Sequence, residues 1–314
     1  MYQKLKLAAV GLVAVALTAC NGNGSSMPAP GNLGNGTQSV VQRGGGSMAD
    51  AGIDLSKVHI MRTANSLAPL ANPNNLQYFG GPIERHPATF VVFWGFNKSG
   101  SDPSHEKVYM IAFLKGIGGS PWLATDKQYY QVSGTLHQHI TNPVGQFKGS
   151  WVDPSTVPAN PSDAQVRAEA AAAEAHFGYN VDGNYIVATP HNHNSPGFGT
   201  SFCAYHSPTS SSGGEISYTN EPYMTDVGSS CGENFVNPGS AGLLDGASIV
   251  LGHEEAESQT DPQVNVNTAW AGNLGEIGDA CAWQGLADIT LTTGKFAIQP
   301  LWSNAKNGCT THTP

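Results

Sequence analysis

The chain has 314 residues, enough for one large domain or two small ones, and only 12% are charged, against about 25% in typical globular proteins. Its net charge is −9 with no basic cluster, which excludes nucleic acid as a partner. The low charge and 38 glycines describe an ordered, loop-rich extracellular protein and exclude a disordered acidic one.

The N-terminus reads as an export signal. Lys4 and Lys6 precede an apolar core over 7–16, too short to span a bilayer. The run Leu17-Thr18-Ala19-Cys20 that follows resembles a bacterial lipobox. The resemblance implies a lipoprotein signal peptide over residues 1–19 and a lipid on Cys20, anchoring the chain to the membrane. Asn21 stands where an Asp would signal inner-membrane retention, so the expected location is the bacterial cell envelope, at the outer membrane or cell surface. Residues 20–50 are Gly, Asn, Ser and Pro with few apolar positions, a flexible tether. Residues 51–314 then form a single domain, whose first part, 53–80, is expected to wrap its surface.

Apolar, β-prone residues over 88–96 predict a buried strand. Asp102-Pro103 predicts a helix N-terminus, with the helix running through Val108, Ile111 and Leu114 to the glycines at 116–119. Residues 127–133 predict a strand, and 151–161 are turn-rich. Ser162 and Gln165 fit a capping box before an Ala-rich helix ending at Phe177, with Gly178 as its C-terminal stop. Strands are predicted at 184–189, 215–219 and 295–302. Asp245 is placed to cap a helix with Ile249, Val250 and Leu251 on its apolar face, stopped by Pro262. The alternation predicts an α/β or α+β layered domain with a mixed sheet and a metal-binding, active-site helix between Asp245 and Pro262.

With Cys20 lipidated, Cys203, Cys231, Cys281 and Cys309 remain, an even number that suggests two disulfides. Three pairings exist; the short loops favour Cys203–Cys231 and Cys281–Cys309. No Cys-x-x-Cys pair supports a thiolate zinc site.

The chemistry concentrates in His253-Glu254-Glu255-Ala256-Glu257. A His and a Glu four residues apart share one helix face and can reach one metal ion. Glu254 between them is placed as general base. Thr260-Asp261 follows, and Glu276 and Asp279 lie further on. This pattern resembles gluzincin metallopeptidases of the thermolysin kind, with Glu257 in place of the second His. The resemblance implies metal ligands His253, Glu257 and Glu276, Glu254 as base, and Asp279 behind His253.

Tyr78-Phe-Gly-Gly-Pro82, 90–94, Phe202-Cys-Ala-Tyr-His206, 253–262, 276–281 and Pro300-Leu-Trp with Cys309 resemble the phosphate-induced, EXORDIUM-like family of secreted plant and bacterial proteins. In plants that family is associated with cell-wall growth. Together the resemblances imply an exported zinc-dependent hydrolase, a metallopeptidase holding one divalent metal ion. Its substrate would be a peptide or a cell-envelope polymer. The alternative is a non-catalytic envelope protein that binds glycan or protein, with a structural metal or none.

One imidazole and two carboxylates cancel the charge of Zn²⁺, so bound water is polarised less than in a His₂Glu site. A higher pH optimum, or a harder ion such as Mn²⁺ or Ca²⁺, follows. His206 is a candidate fourth ligand or oxyanion donor. His191 and His193, two residues apart, are candidates for a second metal if extended. Trp270, among Asn and Gly, is the candidate for stacking on sugars.

Overall fold

Six strands form the central sheet of the computed structural model, which describes residues 48, 51–66 and 74–312. Cys20, the signal peptide and nearly all of the tether lie outside the described residues. The strands are β1 (His59–Arg62), β2 (Ala88–Trp94), β3 (Phe147–Asp153), β4 (Gly183–Ala188), β5 (Phe202–Ser210) and β6 (Glu215–Glu221), in the order β1-β5-β6-β4-β2-β3. Strands β6, β4, β2 and β3 run parallel; β5 and then β1 add antiparallel at one edge. The sheet is therefore mixed, as expected.

The buried strand β2 shows how the layers form. Phe90, Val92 and Trp94 pack on one side with Val166, Ala170 and Ala173 of helix α2 (Asp163–Phe177). Val91 and Phe93 pack on the other with Met110, Phe113, Leu114 and Ile117 of helix α1 (Glu106–Ile117). Both faces of a parallel strand are covered, so it reads as a continuous apolar run.

Helix α3 (Asp245–Thr260) lies on the α1 side, and every one of its residues is buried. Its glutamates therefore do not form a solvated face. Gly252 packs so closely that a Cβ there would sit 2.9 Å from Trp122 and 3.2 Å from Phe113. Glu255 faces the sheet, accepting hydrogen bonds from Thr89 Oγ1, Gln146 Nε2, Asn184 Nδ2 and Gln259 Nε2. Four donors satisfy this buried carboxylate, so it anchors the helix to the sheet.

Several local expectations shift. The capping residue Ser162 donates its N–H to Gln165 Oε1, and Gly178 closes α2 with φ 95°. Helix α1 starts at Glu106, later than Asp102 suggested, because Tyr223 occupies that turn. Its hydroxyl donates to Asp102 Oδ1 and accepts the Ser104 N–H. Asp245 lies inside the first turn of α3 and accepts the N–H groups of Val236 and Asn237. A 3-10 helix, Leu123–Gln128, takes the start of the segment expected as strand, leaving Tyr130–Ser133. Pro300 splits the late strand into Gly294–Ile298 and Leu301–Ser303. Residues 147–153, partly expected as turn, form edge strand β3, and residues 59–62 form β1 and are not merely surface wrap.

Disulfides join Cys203 to Cys231 and Cys281 to Cys309, with Cα separations of 5.5 and 5.8 Å. Among the described residues no helix is long and apolar enough to cross a membrane.

Candidate functional site

Helical spacing puts His253, Glu254 and Glu257 on neighbouring positions of α3. His253 Nε2 lies 3.1 Å from Glu257 Oε1. Strand alternation supplies the next group. Tyr205 of β5 turns towards α2, where its hydroxyl donates to Asp163, so His206 turns the other way, towards α3. His206 is thus a mid-strand residue, and its Nδ1 lies 3.0 Å from Glu254 Oε2 and 3.8 Å from Glu257 Oε2.

Strand pairing brings in a residue that sequence reasoning missed. His59 of β1 is the direct register partner of His206, and the two rings are 6.2 Å apart. His59 Nε2 lies 2.5 Å from Asp279 Oδ2. Only the pairing of β1 with β5 reveals it, because nothing around position 59 in the sequence marks a ligand.

The segment after Pro262 closes the site. The N–H groups of Gly278 and Asp279 both donate to Glu257 Oε1 at 3.2 Å, and that of Glu276 donates to Asp279 Oδ2. Glu276 lies between the two paired histidines, 3.4 Å from His59 Nδ1 and 3.6 Å from His206 Nε2.

The sequence expectations are partly regrouped. His253 and Glu257 do sit together. Glu276 stands near His206 and His59, and Asp279 pairs first with His59, its distance to His253 Nε2 being 3.9 Å. Two trios have ligand atoms mutually within 4.8 Å, His59/Glu257/Asp279 and His206/Glu254/Glu257, and neither includes His253 or Glu276.

His191 bonds Asp226 and His193 bonds the Pro158 carbonyl. Asn192 between them has φ 64°, so the segment is a turn and the two rings do not share a face. Trp270 is 6% exposed and donates to the Tyr130 carbonyl, a core residue with no free face for a sugar.

The electrostatics follow from burial of many carboxylates beside few cations. Among the described residues lysine and arginine pair only with Asp54, Asp163 and Asp288, none of them here. Burial would depress His59, but Asp279 and Glu276 outweigh it and hold the imidazole well above its usual range. Burial likewise opposes protonation of His206, and Glu276 and Glu254 override it. His253 rises to about 9 because Glu257 outweighs desolvation. Burial raises Glu276 to about 8 despite His206, and Asp261 to about 7. Asp279 falls to about 2, because His59 overcomes the burial cost.

Even so, many polar atoms stay unsatisfied. His206 Nε2, His253 Nδ1, Glu254 Oε1, Glu257 Oε2 and both oxygens of Glu276 are buried without a hydrogen-bond partner. Such atoms are rare in folded proteins and call for a reason. Converging imidazole and carboxylate donors with no lysine or arginine among them suit a divalent cation.

Compared with known proteins, the chain matches no family model, no curated protein and no solved structure.

Proposed function

We propose that this chain is an exported, lipid-anchored, metal-dependent hydrolase that cleaves peptide bonds outside the cytoplasm. The observation that carries the reading is the cluster of unpartnered, buried imidazole and carboxylate atoms around Glu257, unaccompanied by lysine or arginine. The motif resemblances to gluzincins and to EXORDIUM-like proteins agree with it.

The ion is assigned to His59, Glu257 and Asp279, because this trio reaches the surface, with side chains of His59 and Asp279 22% and 15% exposed. A divalent cation bound there supplies Lewis acidity to water and to a substrate carbonyl. Zn²⁺ and Mn²⁺ both suit one imidazole with two carboxylates. Glu276 is the base in this reading, since neither of its oxygens has a hydrogen-bond partner and it adjoins His59. Glu254, whose Oε2 is engaged by His206 Nδ1 at 3.0 Å, is less suited to that role than the sequence pattern implied. His253 and the N–H groups of Gly278 and Asp279 hold Glu257 in place.

Glu276→Gln should keep its metal and lose hydrolysis of a peptide library; unchanged activity would overturn this assignment. The complete enclosure of His253, Glu254 and Glu257 favours a second reading, an envelope-binding protein with a structural ion. That protein would be retained on purified wall polymers, and Glu276→Gln would leave its retention unchanged.

A further inference from the structure

We infer that the site holds two divalent cations bridged by Glu257, the second bound by His206, Glu254 and Glu257. The inference rests on the metal-dependent reading above and adds a centre that the gluzincin-like pattern does not contain.

The first argument is geometric. The two ligand trios share one residue, Glu257. Its Oε1 faces the Asp279 side, where it receives the Asp279 N–H at 3.2 Å. Its Oε2 faces His206 Nδ1 at 3.8 Å and has no hydrogen-bond partner. A carboxylate whose two oxygens look towards two ligand sets is placed to bridge ions, as in two-metal hydrolytic sites.

Satisfaction of buried atoms gives the second argument. An ion at the surface trio leaves the inner end unexplained. There, Glu254 Oε1 and Glu257 Oε2 are orphaned on residues with no solvent exposure. Bulk water does not reach them, and an unmet buried carboxylate oxygen is costly. A cation among His206, Glu254 and Glu257 meets both.

Charge gives the third. Glu254, Glu257, Glu276 and Asp279 are four carboxyl groups without a lysine or arginine partner among the described residues. Two divalent cations neutralise them while all three imidazoles stay neutral, the form that binds metal. With a single ion, the remaining carboxyl groups are balanced only by protons kept on themselves or on the imidazoles, and a protonated imidazole does not bind metal.

Glu276, the base of the reading above, also faces both ligating histidines. His59 meets Asp279 through Nε2 and turns Nδ1 to Glu276; His206 meets Glu254 through Nδ1 and turns Nε2 to Glu276. One carboxylate thus faces the outer nitrogens of both histidines, the arrangement by which a second carboxylate fixes the tautomer of a ligating imidazole.

The test is metal stoichiometry of the full chain in detergent, stripped with chelator, reloaded with Mn²⁺ alone and desalted. Wild type should carry two Mn²⁺ per chain and show the exchange-coupled electron paramagnetic resonance spectrum of neighbouring ions. His59→Ala and His206→Ala should each retain about one and give the hyperfine sextet of an isolated ion. One Mn²⁺ in wild type with an uncoupled sextet would overturn the second ion and leave the metal-dependent reading standing. No metal in wild type would remove both. Should His206→Ala fail to fold, the wild-type spectrum and the more exposed His59→Ala variant still decide.

Discussion

Gly278 lies against His253: a Cβ at Gly278 would stand 2.6 Å from His253 Nδ1 and 2.9 Å from Glu257 Oε1. Its φ of −81° is ordinary, so space and not backbone freedom demands glycine. The closeness lets the Gly278 and Asp279 N–H groups reach Glu257 and packs the loop onto α3.

Gly278→Ala should therefore displace the His253 ring or the loop. Overpacking of this kind costs about 1–3 kcal/mol, which in a domain of this size lowers Tm by roughly 2–4 °C per kcal/mol. Metal content after reloading should fall together with Tm. A variant with wild-type metal content would show that the loop can shift without disturbing the ligands.

Asp126 gives a pH-dependent prediction away from the site. It is fully buried, and neither carboxylate oxygen has a hydrogen-bond partner. Burial, reinforced by Glu255, pushes its carboxyl well above the usual range. A raised folded-state pKa contributes stability that is present below the unfolded value of about 3.9. That contribution is lost as pH rises towards the folded value, by up to about 1.4 kcal/mol per pH unit. Asn does not titrate and has nearly the shape of the protonated acid. Asp126→Asn should match wild type near pH 4 and exceed it at pH 8 in chemical denaturation. Parallel stability curves for the two proteins would contradict the assignment.

Anchoring is tested by labelling. Cells grown with labelled palmitate should incorporate it into the wild-type chain and not into Cys20→Ser, and only the wild type should sediment with membranes. Equal labelling of both proteins would remove the lipid anchor and leave the fold and site unaffected.

The legible parts of this molecule are those set by neighbours in sequence. The capping box at Ser162 and Gln165 and the stop at Gly178 involve contacts within one turn, so helix α2 could be read directly. The apolar run of β2 was readable because both its faces are covered. The disulfides followed from two short loops, each with a sequence separation of 28. Strand β3 was obscured because, as an edge strand, none of its residues is fully buried and it carries no apolar run.

The sequence by itself determined that His253, Glu254 and Glu257 share a helix, because i, i+3 and i, i+4 spacing is a property of the helix alone. The gluzincin-like pattern pointed also to Glu276 and Asp279, of which Asp279 donates its N–H to Glu257 on that helix. Only the tertiary structure decided which imidazoles face which carboxylates. His59 joins the site because β1 registers on β5 opposite His206, a pairing between segments remote in the chain. Glu255 is withdrawn from the site because it faces Thr89 and Asn184 on the sheet. Local periodicity carries no information about strand register or about which side of a buried helix meets the sheet. Long-range packing fixes both, and with them the division of the carboxylates between structure and site.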